Sequence, residues 1–218
     1  MSWDEIIAEY IERYVAADPS APKERKRQRL LDAATELFTN QGYRKTSMDE
    51  VARESGVAKG TLYLYFKNKS DLLIHCIARE KVTYIHRLRP IMTGGLPPAE
   101  RLRTYLVNVF ELVVEMPLAN RLLRGDREIA HALFDLDVEL REESEQLRRA
   151  FITELLQPFA AEHGWSDADV AERVSVFLGL LMSASAVMDG RRNVGMDAQR
   201  YAAVLADILF SGIGGSGS

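Results

Sequence analysis

Cysteine is all but missing from these 218 residues: Cys76 stands alone, so no intrachain disulfide can staple the chain and its stability must come from a packed core. No apolar run reaches membrane-spanning length and the N-terminus lacks a signal pattern, so the expectation is a soluble, cytoplasmic protein with no membrane partner. Histidine is scarce as well. His75, His86, His131 and His163 are scattered without metal-ligand spacing, which argues against a metal site. Strand-like alternation never persists and no internal repeat is present, which leaves an all-α chain. The run from Gly56 to Thr61 places its lysine before its second glycine, the wrong order for a phosphate loop. With no nucleophile elbow and no paired carboxylates standing out, the chain reads as neither an enzyme nor a cofactor carrier.

What is present is concentrated between Thr46 and Phe66. Ser47 followed three residues later by Glu50 is a capping box, which starts a helix near Met48. Met48, Val51 and Ala52 share one face of that helix, and Gly56 supplies the left-handed residue that ends it. Val57 returns to the core. A second helix, about Lys59 to Phe66, is too short to stand alone and carries Gly60 near its start, so packing must hold it. Leu62 and Phe66, four apart, are its anchors. With them inward, Lys59, Thr61, Tyr63, Leu64 and Tyr65 turn wholly or partly outward, giving donors, a methyl group and aromatic rims on an element narrow enough for the major groove. Charge agrees. Residues 22–69 hold eleven Lys or Arg against six Asp or Glu, a net of +5, which leaves −9 for the remainder of a chain whose total is −4.

These residues resemble the N-terminal domain of TetR-type transcriptional regulators. The run from Leu30 to Leu73 carries that pattern at Leu31, Ala33, Ala34, Leu37, Phe38, Gly42, Thr46, Ser47, Val51, Ala52, Gly56, Val57, Lys59, Gly60, Thr61, Leu62, Tyr63, Tyr65, Phe66, Lys69 and Leu72. The resemblance implies a one-component regulator, a ligand-released repressor that binds a palindromic double-stranded operator as a homodimer and answers to an unidentified small-molecule effector. It implies a DNA-binding set of Thr46, Ser47, Lys59, Gly60, Thr61, Tyr63, Leu64, Tyr65 and Lys69. Within it Tyr63, Tyr65 and Lys69 would grip phosphates, while Lys59, Thr61 and Leu64 would face base edges. One position departs: Ala58 stands where the family usually has a capping serine or threonine, a loss typically worth about 1 kcal/mol.

The remainder divides as follows: an extra amphipathic helix in 1–18, the DNA-binding domain in 23–69, a helical ligand-binding and dimerisation domain in 70–213, and a Gly/Ser tail in 214–218. The first helix repeats Trp3, Ile6, Ile7, Tyr10, Ile11, Tyr14 and Val15 on one face, with Ser2 and Glu5 as a second capping box. Its acidic polar face, Asp4, Glu5, Glu9 and Glu12, speaks for docking on protein rather than on DNA or lipid. Lys23, Arg25, Lys26, Arg27 and Arg29 lead into the next helix. Asn68 caps a later one that runs to Pro90. Further helices are expected at Ala99–Glu115, Asp126–Phe134, Asp137–Glu162, Asp167–Asp189 and Asp197–Phe210, with Pro117 as a separator and Pro158 as a kink or an end.

By resemblance the last two of these build the dimer, through Val176, Gly179, Leu180, Ser183, Ala186, Val187, Val204 and Ile208. Tyr105, Phe110, Met116, Leu123, Phe134, Phe151 and Met182 offer a cavity lining or plain core, and Arg121 and His131 an anion contact. Two rival readings stand beside the regulator: a helical protein-interaction module, and a small-molecule-binding protein without DNA binding. Tyr63, Tyr65 and Lys69 weigh against both, since an unused DNA surface has no physical reason to keep them.

Overall fold

The computed structural model describes residues 3–14, 20–123, 126–134, 138–187 and 195–211. Within them the chain is helical throughout: α1 Trp3–Tyr14, α2 Pro22–Asn40, α3 Met48–Ser55, α4 Lys59–Tyr65, α5 Lys69–Thr93, α6 Pro98–Glu115, α7 Pro117–Leu123, α8 Arg127–Phe134, α9 Val138–His163, α10 Asp167–Val187 and α11 Ala198–Ser211. The chain forms two compact units. One holds residues 3–83 and 116–143, the other 84–115 and 144–218, so α5 begins in the first and ends in the second.

Local chemistry sets most helix ends. Pro22 opens α2, where a missing N–H costs nothing. Ser47 Oγ accepts the Glu50 N–H at 3.2 Å to start α3, and Gly56, at φ 64°, closes it. Asn68 Oδ1 accepts the Asp71 N–H at 2.8 Å, while Asp71 accepts the Lys67 N–H at 2.7 Å, a reciprocal cap on α5. Asp126 caps α8 by accepting from Glu128 and Ile129, and Ser166 and Asp169 cap α10 reciprocally. Helix α4 has neither a capping side chain, with Ala58 at its start, nor an opening proline, and it has only seven residues.

Two expectations change. Pro117 does stand at a break, after α6 ends at Glu115, but it also opens a helix that was not expected, α7, at the first-turn position proline tolerates. Helix α5 continues past Pro90 to Thr93, where burial of Leu88, Ile91 and Met92 offsets the lost backbone bond. Pro158 lies near the end of α9, as expected, flanked by the buried Leu155, Leu156 and Ala160.

The core of the first unit joins Leu30, Leu31, Ala34 and Phe38 of α2 to Val51 of α3, Leu62 of α4, Phe66, and Leu72, Leu73 and Cys76 of α5. Leu118 and Ala119 of α7 and Ile129 and Ala132 of α8 close the same cluster. Full burial of side chains such as Phe38, Phe66 and Leu62 is worth about 1.5–3 kcal/mol each. Helix α7 is also fastened by polar contacts. Half-buried Glu80 accepts the N–H groups of Leu118 and Ala119 at 3.2 and 2.9 Å, and Arg121 donates to the Phe38 carbonyl at 2.8 Å while pairing with Asp126. Met116, Arg121 and His131, three residues expected to line an effector cavity, therefore belong to the unit built on α2–α4. His131 is exposed there. The division at 69/70 is not where the compact units part.

In the second unit α6 packs on α11 around the fully buried Ala202, with Val107, Tyr201 and Leu205 against it and Arg103 paired to Asp207. The Tyr105 ring of α6 lies tilted against Phe151 of α9 at 5.0 Å and stacks on Phe177 of α10 at 6.3 Å, and its hydroxyl meets that of Tyr84 at 3.3 Å. Burial pushes both phenols above their ordinary range, so they stay protonated. Of the remaining cavity candidates, the side chains of Phe110, Leu123, Phe134 and Met182 lie outside the described residues. So do those of Ser183, Ala186 and Val187, as well as Ser2, Val15 and the 214–218 tail.

Candidate nucleic-acid interface

Helices α3 and α4 are joined by Gly56 and the buried Val57, whose N–H donates to the Ala52 carbonyl at 3.1 Å. This turn fixes the angle between the helices, and Leu62 and Phe66 then hold α4 down by their side chains alone. The opposite face is left outward. Leu64 is 86% exposed and Tyr63 46%, large apolar surface that a short helix does not expose unless something covers it. Thr61 is half-buried beside them, and Gly60 has open space in front of it, so a backbone or a phosphate can approach α4 closely at its start.

Charge surrounds that face. Lys59 pairs with Asp49 of α3 at 2.7 Å, and that hydrogen bond and charge raise its ammonium above the ordinary lysine range. The pair is exposed and small-valued by itself, so the lysine can exchange its carboxylate for a phosphate or a base edge. From α2, Arg25, Lys26 and Arg29 are exposed, and Arg29 reaches the Gly56 turn. The Tyr65 hydroxyl donates to the Lys23 carbonyl at 2.9 Å, tying the basic start of α2 to the far end of α4. The charge balance of residues 22–69 puts these α2 cations in the same segment as the reading helix, and the fold brings them to its side.

Two expected contacts face the other way. Thr46 is 1% exposed, with its hydroxyl donating to the Gly42 carbonyl at 2.9 Å; it closes the loop between α2 and α3 and has no surface to give to DNA. Lys69 lies over the Tyr43 ring at 4.2 Å and donates to the carbonyls of Tyr43, Thr46 and Arg44 at 2.9, 3.0 and 3.5 Å. Burial lowers its ammonium below the ordinary lysine range. It is a lock on the same loop rather than an outward phosphate grip. Ser47, used as the α3 cap, keeps an exposed position at the edge of the face.

A two-helix element with a glycine turn, a narrow outward helix and a collar of Lys and Arg defines a helix-turn-helix DNA-binding protein. The family model described as "Bacterial regulatory proteins, tetR family" matches residues 30–76. The "Fatty acid metabolism regulator protein" of Bacillus subtilis (strain 168) is 27% identical over 88% of this chain and 97% of its own length. Among solved structures, a TetR/AcrR-family transcriptional regulator from Thermobifida fusca aligns with a TM-score of 0.67 at 24% identity, covering 87% of this chain and 98% of that one. The Bacillus subtilis regulator FadR in complex with stearoyl-CoA aligns at 0.61 and 23% identity, covering 86% and 99%. The likeness to the TetR family of bacterial regulatory proteins is carried by residues 30–76, the segment that holds α3 and α4.

Proposed function

We propose that this regulator is a homodimeric repressor that holds a palindromic operator with its two α3–α4 elements and lets go when an acyl thioester of the acyl-CoA type binds its second unit. The observation that carries the effector class is the similarity to a fatty acid metabolism regulator along nearly the whole of that relative. The aromatic interior around Tyr105, Phe151 and Phe177 supports it, because an acyl chain is recognised by apolar walls with few polar groups.

Base edges would be read by Thr61, Leu64 and a released Lys59, and phosphates held by Tyr63, Tyr65 and the α2 cations. Residues 23–69 would read DNA, residues 70–213 would sense and dimerise, and no catalytic step is assigned. The protein would act in the cytoplasm, where its operator lies; no described helix is long and apolar enough to cross a membrane.

The dimer reading rests on α10 and α11. Val170 and Val174 turn inward on α10, while Val176 is 75% exposed and Gly179 opens onto empty space. On α11, Ala202 and Ala206 are buried and Ile208 and Leu209 exposed. A twofold pairing over these faces would cover the apolar surface and present two reading heads to two half-sites. The effector would act by favouring a state with the heads wrongly spaced, to the extent of its differential affinity for the two states.

The test is selection of bound sequences from random duplex DNA, followed by titration of the selected complex with an acyl-CoA series of rising chain length, free CoA and free fatty acids. Release by acyl-CoA with a chain-length optimum is expected. Release by none of these ligands would refute the effector class, and selection of asymmetric sites would refute the palindromic dimer.

A further inference from the structure

Helix α1 ends against the support of the reading helix. Ile7, Tyr10 and Tyr14 form its buried face, with the Tyr10 and Tyr14 rings 4.8 Å apart. Tyr14 meets the His75 ring edge-on at 5.4 Å, and His75 meets Phe66 at 5.3 Å. Phe66 is the fully buried C-cap of α4. Three aromatic side chains from three segments thus form one continuous path from α1 to the end of the reading helix.

A polar path runs alongside. Arg27 of α2 donates to the Tyr14 carbonyl at 3.2 Å, placing a cation at the C-terminus of α1, and it pairs with Glu24 at 3.1 Å. The same guanidinium lies 3.1 Å from His75 Nδ1. Since a guanidinium can only donate, Nδ1 must be the acceptor, and the ring proton sits on Nε2, facing Asp71 at 3.8 Å. Asp71 in turn accepts the Lys67 N–H, one residue beyond Phe66. His75 therefore touches both the side chain that ends α4 and the carboxylate that shapes the turn after it.

Helix α4 needs such support, because it has seven residues, no N-terminal side-chain cap and Gly60 in its first turn. We infer that the N-terminal helix is a positioning element of the reading head, which fixes the C-terminal end of the reading helix through Tyr14, Arg27 and His75. The inference rests on α4 being the DNA reader.

The test measures binding of the full-length protein and its variants to the selected operator and to random duplex, well below each melting temperature. Tyr14→Ala is expected to lower operator affinity at least about tenfold while changing random-duplex affinity less than about twofold, with Tyr14→Phe, which keeps the ring, close to the parent. An unchanged operator-to-random ratio in Tyr14→Ala, with only a lower melting temperature, would overturn the inference by making α1 a plain stabiliser. Amide hydrogen exchange gives a second reading on the same variants. Protection across residues 61–66 should fall more than protection across 48–55, and equal loss in both would overturn it. If the parent itself showed no preference for any sequence over random duplex, the assignment of α4 as reader would fall first, and the inference with it.

Discussion

The unit that carries the helix-turn-helix and the unit that carries α6, α9, α10 and α11 are both helical, yet they spend their apolar residues differently. In the first, short helices are closed by Ser47, Gly56, Asn68 and Asp126, and their apolar side chains converge on a single core. What remains outward, Tyr63 and Leu64, is confined to one helix face. In the second, long helices bury Val170, Val174, Ala202 and Ala206 but leave Val176, Ile208 and Leu209 outward on two helices. Among the described residues, the first unit leaves large apolar side chains outward on α4 alone, where DNA would cover them, and the second leaves them on α10 and α11, where another protein surface would. A reader must have a fixed shape before it meets its target, whereas a dimerising unit completes its burial only on association.

The largest effect should come from putting charge on the outward face of α10 and α11. On the proposed dimer, Gly179→Glu would bury a carboxylate without a partner. Sedimentation should show a monomer and operator binding should collapse, while the circular dichroism of the first unit's helices persists; an intact dimer with normal affinity would move the interface elsewhere. A core deletion in the first unit should behave differently. Leu62→Ala removes a fully buried anchor of α4 and should cost about 2–5 kcal/mol in unfolding, with affinity for specific and random DNA lost together as the unit loosens.

Next come two lysines at the start of α5, Lys69 turned onto the loop between α2 and α3 and Lys67 exposed. Lys69→Ala should destabilise the loop between α2 and α3 by about 1.5–3 kcal/mol, the worth of a charged hydrogen-bond donor, and leave the salt dependence of DNA binding unchanged. Lys67→Ala, at an exposed site, should leave stability alone and flatten the salt dependence by about one unit of slope per lost contact in each subunit. A flattened slope for Lys69→Ala would restore that residue as a phosphate contact.

The smallest effect is a pH dependence confined to the first unit. Burial first, and the Arg27 guanidinium second, lower the His75 imidazole below the ordinary histidine range, and Asp71 opposes them only in part. The other groups packed on it are the rings of Tyr14 and Phe66. A base whose folded pKa is depressed contributes stability that is complete above its unfolded value, about 6.5, and is lost as pH falls toward the folded value. Melting temperature and operator affinity should therefore decline together below about pH 6.5, and His75→Gln should remove that decline. A profile that is the same in His75→Gln and the parent would detach the histidine from the effect.

How far the chain can be read without its structure differs by the same division. The α3 cap, the Gly56 stop, the Asn68 cap and the anchors Leu62 and Phe66 were all legible, because each depends on residues within one turn of one another. The inward turn of Thr46 and Lys69 was not. A lysine before a helix reads the same whether its ammonium meets phosphate or three carbonyls, and the carbonyls of Tyr43, Arg44 and Thr46 are brought to it only when the loop folds over α5. Helix α7 was missed for a related reason. Its N-terminal N–H groups are satisfied by Glu80, thirty-eight residues before Leu118, and a cap supplied from so far away leaves no local mark.

The sequence by itself determined the all-α architecture, the helix-turn-helix and the basic charge around it, since periodicity, capping and composition act over a few residues and survive without knowledge of the fold. Only the tertiary structure decided that α7 and α8 pack with the reading head, that the Lys69 ammonium turns onto the loop between α2 and α3, and that α1 meets the support of α4 through His75. Each of these is a choice of partner among chemically equivalent surfaces. That choice depends on which groups the folded backbone brings within a few ångströms, and residues 14, 27, 66 and 75 carry no mark of one another until it does.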